Sequence, residues 1–180
     1  MLGPGIRGIR EDWFAAREQQ GGVADVKDQT MAGTDDQAQQ ADDLPWRLAL
    51  RVHHPSADLS DVAKRVGEAF GVEARWLWRA GDVDSHAKPA GQLKPTSYCL
   101  VDWLDTEGTI ATALADATEA VSGLREEFRA INASGGRLDF FVGLFVDSMM
   151  GFVLPPGLLA RLGEAGIALE FDIYGPPSKG

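Results

Sequence analysis

The segment from Leu154 to Tyr174 constrains the fold more than any other part of the sequence. Pro156 suits the first turn of a helix, where its missing N–H costs nothing, and Gly166 suits the left-handed residue that ends one. Apolar residues then alternate with polar ones over residues 167–174, which predicts a strand with one buried face. A helix and a strand that each bury one side are typical of helices layered on a sheet.

Four other stretches rich in apolar residues each predict a strand. They cover residues 46–53, 74–79, 97–103 and 138–146. A shorter strand is expected at Phe152 and Val153, after a turn at Asp147 and Ser148.

Helical spacing predicts two further helices between these strands. Asp58 is the expected N-cap of the first, and Gly71 its C-terminal stop. The second is predicted as one long helix from a cap at Asp105 or Thr106 to about Ile131, because apolar residues recur along one narrow seam.

The resulting order is β-α-β-β-α-β followed by a helix–strand unit. This is the ferredoxin-like order with a C-terminal addition. We therefore predict an α+β fold: a mainly antiparallel sheet with helices packed on one face. The order of the strands within the sheet does not follow from the pattern.

The first 44 residues differ from the rest in composition. They contain many Gly, Gln and Asp and few large apolar residues, so they cannot offset the entropy of ordering the chain. We predict that residues 1–44 are disordered, with Met31 as a candidate start, and that residues 45–180 form a single α+β domain.

The net charge of −10, from 17 Lys and Arg against 27 Asp and Glu, restricts the classes of partner that the protein is expected to bind. No basic run is present, which disfavours nucleic-acid binding and favours a protein partner, a basic one in particular. The single cysteine, Cys99, excludes an intramolecular disulfide and fits a reducing compartment. Because no signal-peptide core and no apolar run of about 20 residues occurs, we expect a cytoplasmic protein without membrane contact.

The residues that could carry chemistry do not form a recognised motif. His53 and His54 are adjacent on a strand and would point to opposite faces, which disfavours a shared metal ion. Cys99 lies in an apolar strand without a nominated base, so we interpret it as a buried structural thiol. The glycines that begin at Gly3-Pro4-Gly5 lie in the N-terminal segment and do not follow a strand, and the Gly-x-x-x-x-Gly-Lys and Gly-x-Ser-x-Gly motifs are absent. We expect no catalytic residue, metal or cofactor, and favour a non-enzyme.

Aromatic side chains are the candidates for binding. Trp76 and Trp78 lie two apart on a strand and share a face, while Phe141 and Phe145 point away from the apolar stripe of their strand. The tryptophans either fill the core between sheet and helices or, if helices leave the other face uncovered, form with the phenylalanines a patch that contacts a ligand or partner.

Three segments resemble a bacterial family, domain of unknown function 4279. They are residues 47–66, with His-Pro-Ser-Ala-Asp-Leu-Ser-Asp between a strand and a helix; residues 78–82, Trp-Arg-Ala-Gly-Asp; and residues 154–174. The resemblance spans most of residues 46–175. The family pattern has a proline soon after the first helix, where this chain continues from Glu73 to Ala74. The resemblance implies a small bacterial α+β domain and carries no activity, cofactor or site residue.

We therefore favour a non-enzymatic cytoplasmic binding module, with a toxin-neutralising immunity protein as one concrete version. The alternative is a small-ligand protein or enzyme that uses the loop from Gly81 to Pro95. Its polar groups would be Asp82, Asp84, His86 and Lys88. A homo-oligomer built through the sheet face is a third reading.

Overall fold

A computed structural model describes residues 46–85, 90–105, 107–146 and 151–175. All of them belong to one compact unit, Gln37–Gly180. The segment predicted to be disordered, the candidate start at Met31 and the turn expected at Asp147 and Ser148 lie outside the described residues.

The described chain alternates strands and helices much as the sequence pattern predicts. The strands are β1 (Trp46–His54), β2 (Trp76–Trp78), β3 (Ser97–Trp103), β4 (Arg137–Phe145) and β5 (Ile167–Tyr174). The helices are α1 (Ser60–Phe70), α2 (Ile110–Ala120), α3 (Arg125–Ala133) and α4 (Pro156–Ala165). Gly71 and Gly166 end α1 and α4 in the left-handed conformation, with φ of 72° and 70°, as expected.

The strands form one sheet in the order β2-β3-β1-β4-β5. The first three pairings are antiparallel, and β5 runs parallel to β4 at one edge. The strands on either side of α1, β1 and β2, are separated by β3, and β3 and β4 are likewise separated by β1. This is the split arrangement of the ferredoxin-like order, extended by α4 and β5. The predicted α+β class is confirmed.

The main core lies between the helices and one face of the sheet. Alternation along the strands sends every second side chain to this side, where they meet the buried stripes of all four helices. The largest fully buried side chains of this core include Leu50, Val52, Leu114, Phe128 and Phe140.

The prediction of a single long helix between β3 and β4 is wrong. The structure has two helices, α2 and α3, joined by a 3-10 turn at Ser122–Leu124. The cap is Thr109, whose Oγ1 accepts a hydrogen bond from the Thr112 N–H at 3.2 Å. Ser122 and Gly123 are weak helix formers, so the backbone turns there although Leu124 keeps the apolar seam buried.

The start of α1 differs from the prediction by one residue. Leu59 is the N-cap, and the Asp58 carboxylate accepts a hydrogen bond from the Ser60 N–H at 2.9 Å just before it. The short strand expected at Phe152 and Val153 is also absent from the described structure, since both residues lie in an irregular segment.

Candidate binding face

We call the sheet face opposite the helices the open face. Its side chains come from all five strands. They are Trp76 and Trp78; Tyr98, Leu100 and Asp102; Arg47, Ala49, Arg51 and His53; Arg137, Asp139, Phe141 and Phe145; and Ala168, Glu170, Asp172 and Tyr174. Among the described residues, the buried side chains of the helices all belong to the core on the other face.

A small aromatic cluster lies at the β2 end of the open face. The Trp78 ring stacks on the Tyr98 ring with 4.5 Å between centroids, and the Lys94 ammonium lies 4.4 Å from the Trp78 centroid. Trp76 and Trp78 are half-buried and pack against buried Tyr98, Leu100 and Ala49.

Of the two readings of Trp76 and Trp78, the core between sheet and helices is excluded, because both lie on the open face. Trp46, by contrast, is buried in the main core, and Trp103 packs against it. Period-two alternation places Trp76 and Trp78 on one side but does not tell which side the helices cover.

The two phenylalanine candidates have different environments. Phe141 is buried beneath the Arg51 guanidinium, whose central carbon lies 4.6 Å from the ring centroid. Phe145 is 36% exposed and stacks on Tyr174 at 5.1 Å. Since β3 and β1 separate β2 from β4, the phenylalanines do not join the tryptophans in one patch.

An ion-pair network occupies the space between these aromatic groups. Arg51 Nε lies 2.6 Å from Asp139 Oδ2, and its Nη2 lies 2.6 Å from Glu170 Oε2. The side chains of Arg51 and Asp139 are almost completely buried. Burial raises the pKa of the Asp139 carboxyl, and Arg51 opposes that change. Burial also opposes the charge of Arg51, but its two carboxylate partners outweigh this and raise its pKa.

Two buried polar atoms next to this network have no hydrogen-bond partner among the described residues. They are the Tyr98 hydroxyl and His53 Nε2, on rings whose centroids are 4.6 Å apart. Burial, followed by repulsion from Arg137 and Arg51, lowers the pKa of His53 to about 4. Each unpartnered buried group costs about 1–3 kcal/mol, so both atoms lower the stability of the isolated chain.

Among the described residues, no three His, Cys, Asp or Glu side chains come together to hold a metal ion. Cys99 is fully buried, and burial raises the pKa of its thiol to about 12, so it is not a nucleophile at neutral pH. His54 Nδ1 accepts hydrogen bonds from the N–H groups of Ser56 and Ala57, which gives it a structural role.

The loop from Gly81 to Pro95 is partly a two-stranded ribbon. Its segments are joined by a bridge between Val83 and Leu93. The Asp82 carboxylate accepts a hydrogen bond from the Arg79 N–H at 2.7 Å, and Asp84 pairs with Lys94 at 2.9 Å. The carboxylates proposed for ligand chemistry therefore make local structural contacts. His86 and Lys88 lie outside the described residues.

An open groove of about 620 Å³ lies on the opposite side of the molecule, between α1 and residues 72–77. Its lining is largely apolar, with Leu77 exposed in it. The charged residues along it include Lys64 and Glu68, which pair with each other along the helix. Ser60 and Glu73 are the other polar residues of its lining.

The comparisons with protein-family models, curated proteins and solved structures find no match in any of the three. The resemblance to domain of unknown function 4279 stays a prediction from the quoted residues. None of the described helices is long and apolar enough to cross a membrane.

We call the ion pairs of Arg51 with Asp139 and Glu170 the polar centre of the open face. The sequence analysis did not predict it. Arg51 stands between Leu50 and Val52, and Asp139 between Leu138 and Phe140. An ionisable residue between two large apolar residues of a strand is a signal for a buried charge on the second face. The pattern does not predict that Arg51 and Asp139 pair with each other, since 88 residues separate them in the sequence.

Proposed function

We propose that this protein is a non-enzymatic binding module whose open face contacts a protein partner. One observation carries the proposal: the four described helices cover one side of the sheet and leave aromatic and polar side chains on the other. Tryptophan, tyrosine and arginine are the residue types that most often dominate protein interfaces. Trp76, Trp78 and Phe145 would supply the aromatic contacts.

The ion-pair network of Arg51 adds a polar component, because its Glu170 member keeps 45% of its side chain exposed on this face. The acidity of the chain, with net charge −10, favours a basic partner, and an immunity-type role is the concrete version.

Capture of a partner from native lysate tests this proposal with matched variants. The full chain and a Leu159→Ser variant, which changes an exposed apolar residue of α4, are expected to retain the same partner. A double variant, Trp76→Ser with Phe145→Ser, is expected to lose it while it keeps the far-UV circular dichroism of the wild type. A partner retained by the double variant would refute the use of the open face, and a wild-type chain that captures nothing would refute the binding role.

A further inference from the structure

The two edge strands of the sheet differ in the features that prevent pairing with another chain. β2, at one edge, is three residues long and is flanked by Arg75 and Arg79. β5, at the other edge of the described sheet, is eight residues long and contains no Lys, Arg or Pro. Short length, charged side chains and proline are among the features that keep an edge strand from pairing with another chain. Of these β5 has only charged side chains.

The charged side chains of β5 itself are both acidic. Glu170 and Asp172 lie two residues apart on the open face. Glu170 pairs with Arg51, which lies two strands inward, and still has 45% of its side chain exposed. Asp172 accepts a hydrogen bond from the Tyr174 hydroxyl at 3.1 Å. A strand laid along β5 would place the Cβ atoms of the residues directly opposite about 5 Å from those of Glu170 and Asp172.

A second copy of this chain fits that edge poorly. Two β5 strands related by a two-fold axis run antiparallel, and each side chain must meet one from the same face. The registers with the greatest overlap place Glu170 opposite either Glu170 or Asp172 of the second copy. Like charges directly opposite one another destabilise a strand pair. The carboxylates therefore oppose self-pairing, and the same carboxylates favour a basic strand.

The other side of β5 is apolar. Leu169 and Phe171 are half-buried against the core, and Ile173 is 68% exposed near the end of the strand. A segment that pairs with β5 would thus meet carboxylates on one side and apolar side chains on the other. Strand addition uses backbone hydrogen bonds for affinity and alternate side chains for specificity.

We propose that the β5 edge binds an extended segment of a protein partner in which basic residues alternate with apolar ones. The segment adds to the sheet as a sixth strand beside β5. This interaction goes beyond the proposed function of the open face, because backbone groups of the edge, rather than the aromatic side chains, carry it.

The test uses the isotope-labelled full chain and a capped seven-residue peptide of alternating Lys and Val. Peptide is expected to slow hydrogen exchange at those β5 amides that point away from β4, since only strand addition satisfies them. Asp172→Asn is expected to weaken binding about threefold, in line with one cross-strand charge pair. Asp116→Asn, on the exposed side of α2, removes the same charge elsewhere and is expected to leave binding unchanged.

Three results would overturn the proposal. One is no protection of β5 at millimolar peptide; another is equal binding of a Glu–Val peptide. The third is a concentration-dependent dimer in sedimentation whose β5 amides are already protected. The indole N–H signals of Trp76 and Trp78, assigned with Trp→Phe variants, report the open face separately. If partner binding shifts these signals but does not slow hydrogen exchange at the β5 amides, the edge proposal is refuted and the proposed function is supported.

Discussion

Arg51 is the residue on which the polar centre of the open face depends. Its guanidinium holds carboxylates from β4 and β5 while its own side chain is almost completely buried. Burying a charge is unfavourable unless it is paired, so a buried pair adds little net stability compared with an apolar substitute. Removing one member is costly, however, because the charge left behind has no partner.

Replacing Arg51 with methionine is expected to lower the free energy of unfolding by about 3–5 kcal/mol, because it leaves the buried Asp139 carboxylate unpaired. Urea denaturation measures the loss. Arg65→Met removes an exposed pair with Glu127 and should cost only about 0–1 kcal/mol. Similar small losses for both variants would show that the network is open to water.

The Tyr98 hydroxyl allows a test of what an unpartnered buried group costs in stability. Because it has no described hydrogen-bond partner, Tyr98→Phe is expected to raise the free energy of unfolding of the isolated chain by about 1 kcal/mol. Tyr174→Phe is the matched control and is expected to lose about 1 kcal/mol, since that hydroxyl donates to Asp172. Thermal unfolding of both variants decides the matter, and a Tyr98→Phe variant as unstable as the control would contradict the account.

His53 makes the stability depend on pH in a defined window. Its pKa falls from 6.5 in the unfolded chain to about 4 in the fold. The unfolded chain binds the proton below pH 6.5 and the fold only near pH 4, so stability falls progressively as pH drops from 6.5 to about 4. Between pH 7 and 5 we expect a loss of about 1–2 kcal/mol from this group. Urea titrations of the wild type and of His53→Gln should differ by this amount, and parallel pH profiles would refute the assignment.

At the scale of elements, α1 is fixed by close approach to the chain that follows it. Gly67 lies on the buried side of the helix, where an added Cβ would meet the Val72 carbonyl oxygen at 2.5 Å. In an exposed helix, alanine is more stable than glycine by about 1 kcal/mol. Here the contact with the backbone of Val72 outweighs that preference.

Gly67→Ala is accordingly expected to destabilise the protein by about 1–3 kcal/mol, since the backbone must move to make room. Gly163→Ala in α4 is the control, because the added Cβ there meets open space. It should raise the free energy of unfolding by about 0.5–1 kcal/mol. Chemical denaturation compares the two, and a gain in both would mean that α1 is not packed against residue 72.

Most elements are predictable from local pattern, and the exceptions have local causes. β5 and α4 follow from alternation, from Pro156 and from Gly166, each of which acts within a few residues. The break between α2 and α3 was missed because the buried seam continues through Val121 and Leu124 while the backbone turns at Ser122 and Gly123. An apolar seam reports which side is buried and not whether the helix is continuous.

At the scale of the whole molecule, the class of fold follows from the sequence but the arrangement of its strands does not. Alternation assigns each side chain to a face, while strand neighbours depend on contacts between distant residues such as Arg51 and Asp139. The candidate site shows the same limit. The sequence indicates that Trp76 and Trp78 share a side, and only the sheet order with its helices reveals that this side is the open face.

The central claim is that the open face, and not the helical surface, meets the partner. The most direct measurement is the hydrogen-exchange footprint of the full chain in complex with the partner that it captures. We expect slower exchange of the amides at Trp76–Trp78 and around Phe145, with exchange on the exposed sides of α2 and α3 unchanged. Protection confined to the helices would contradict it.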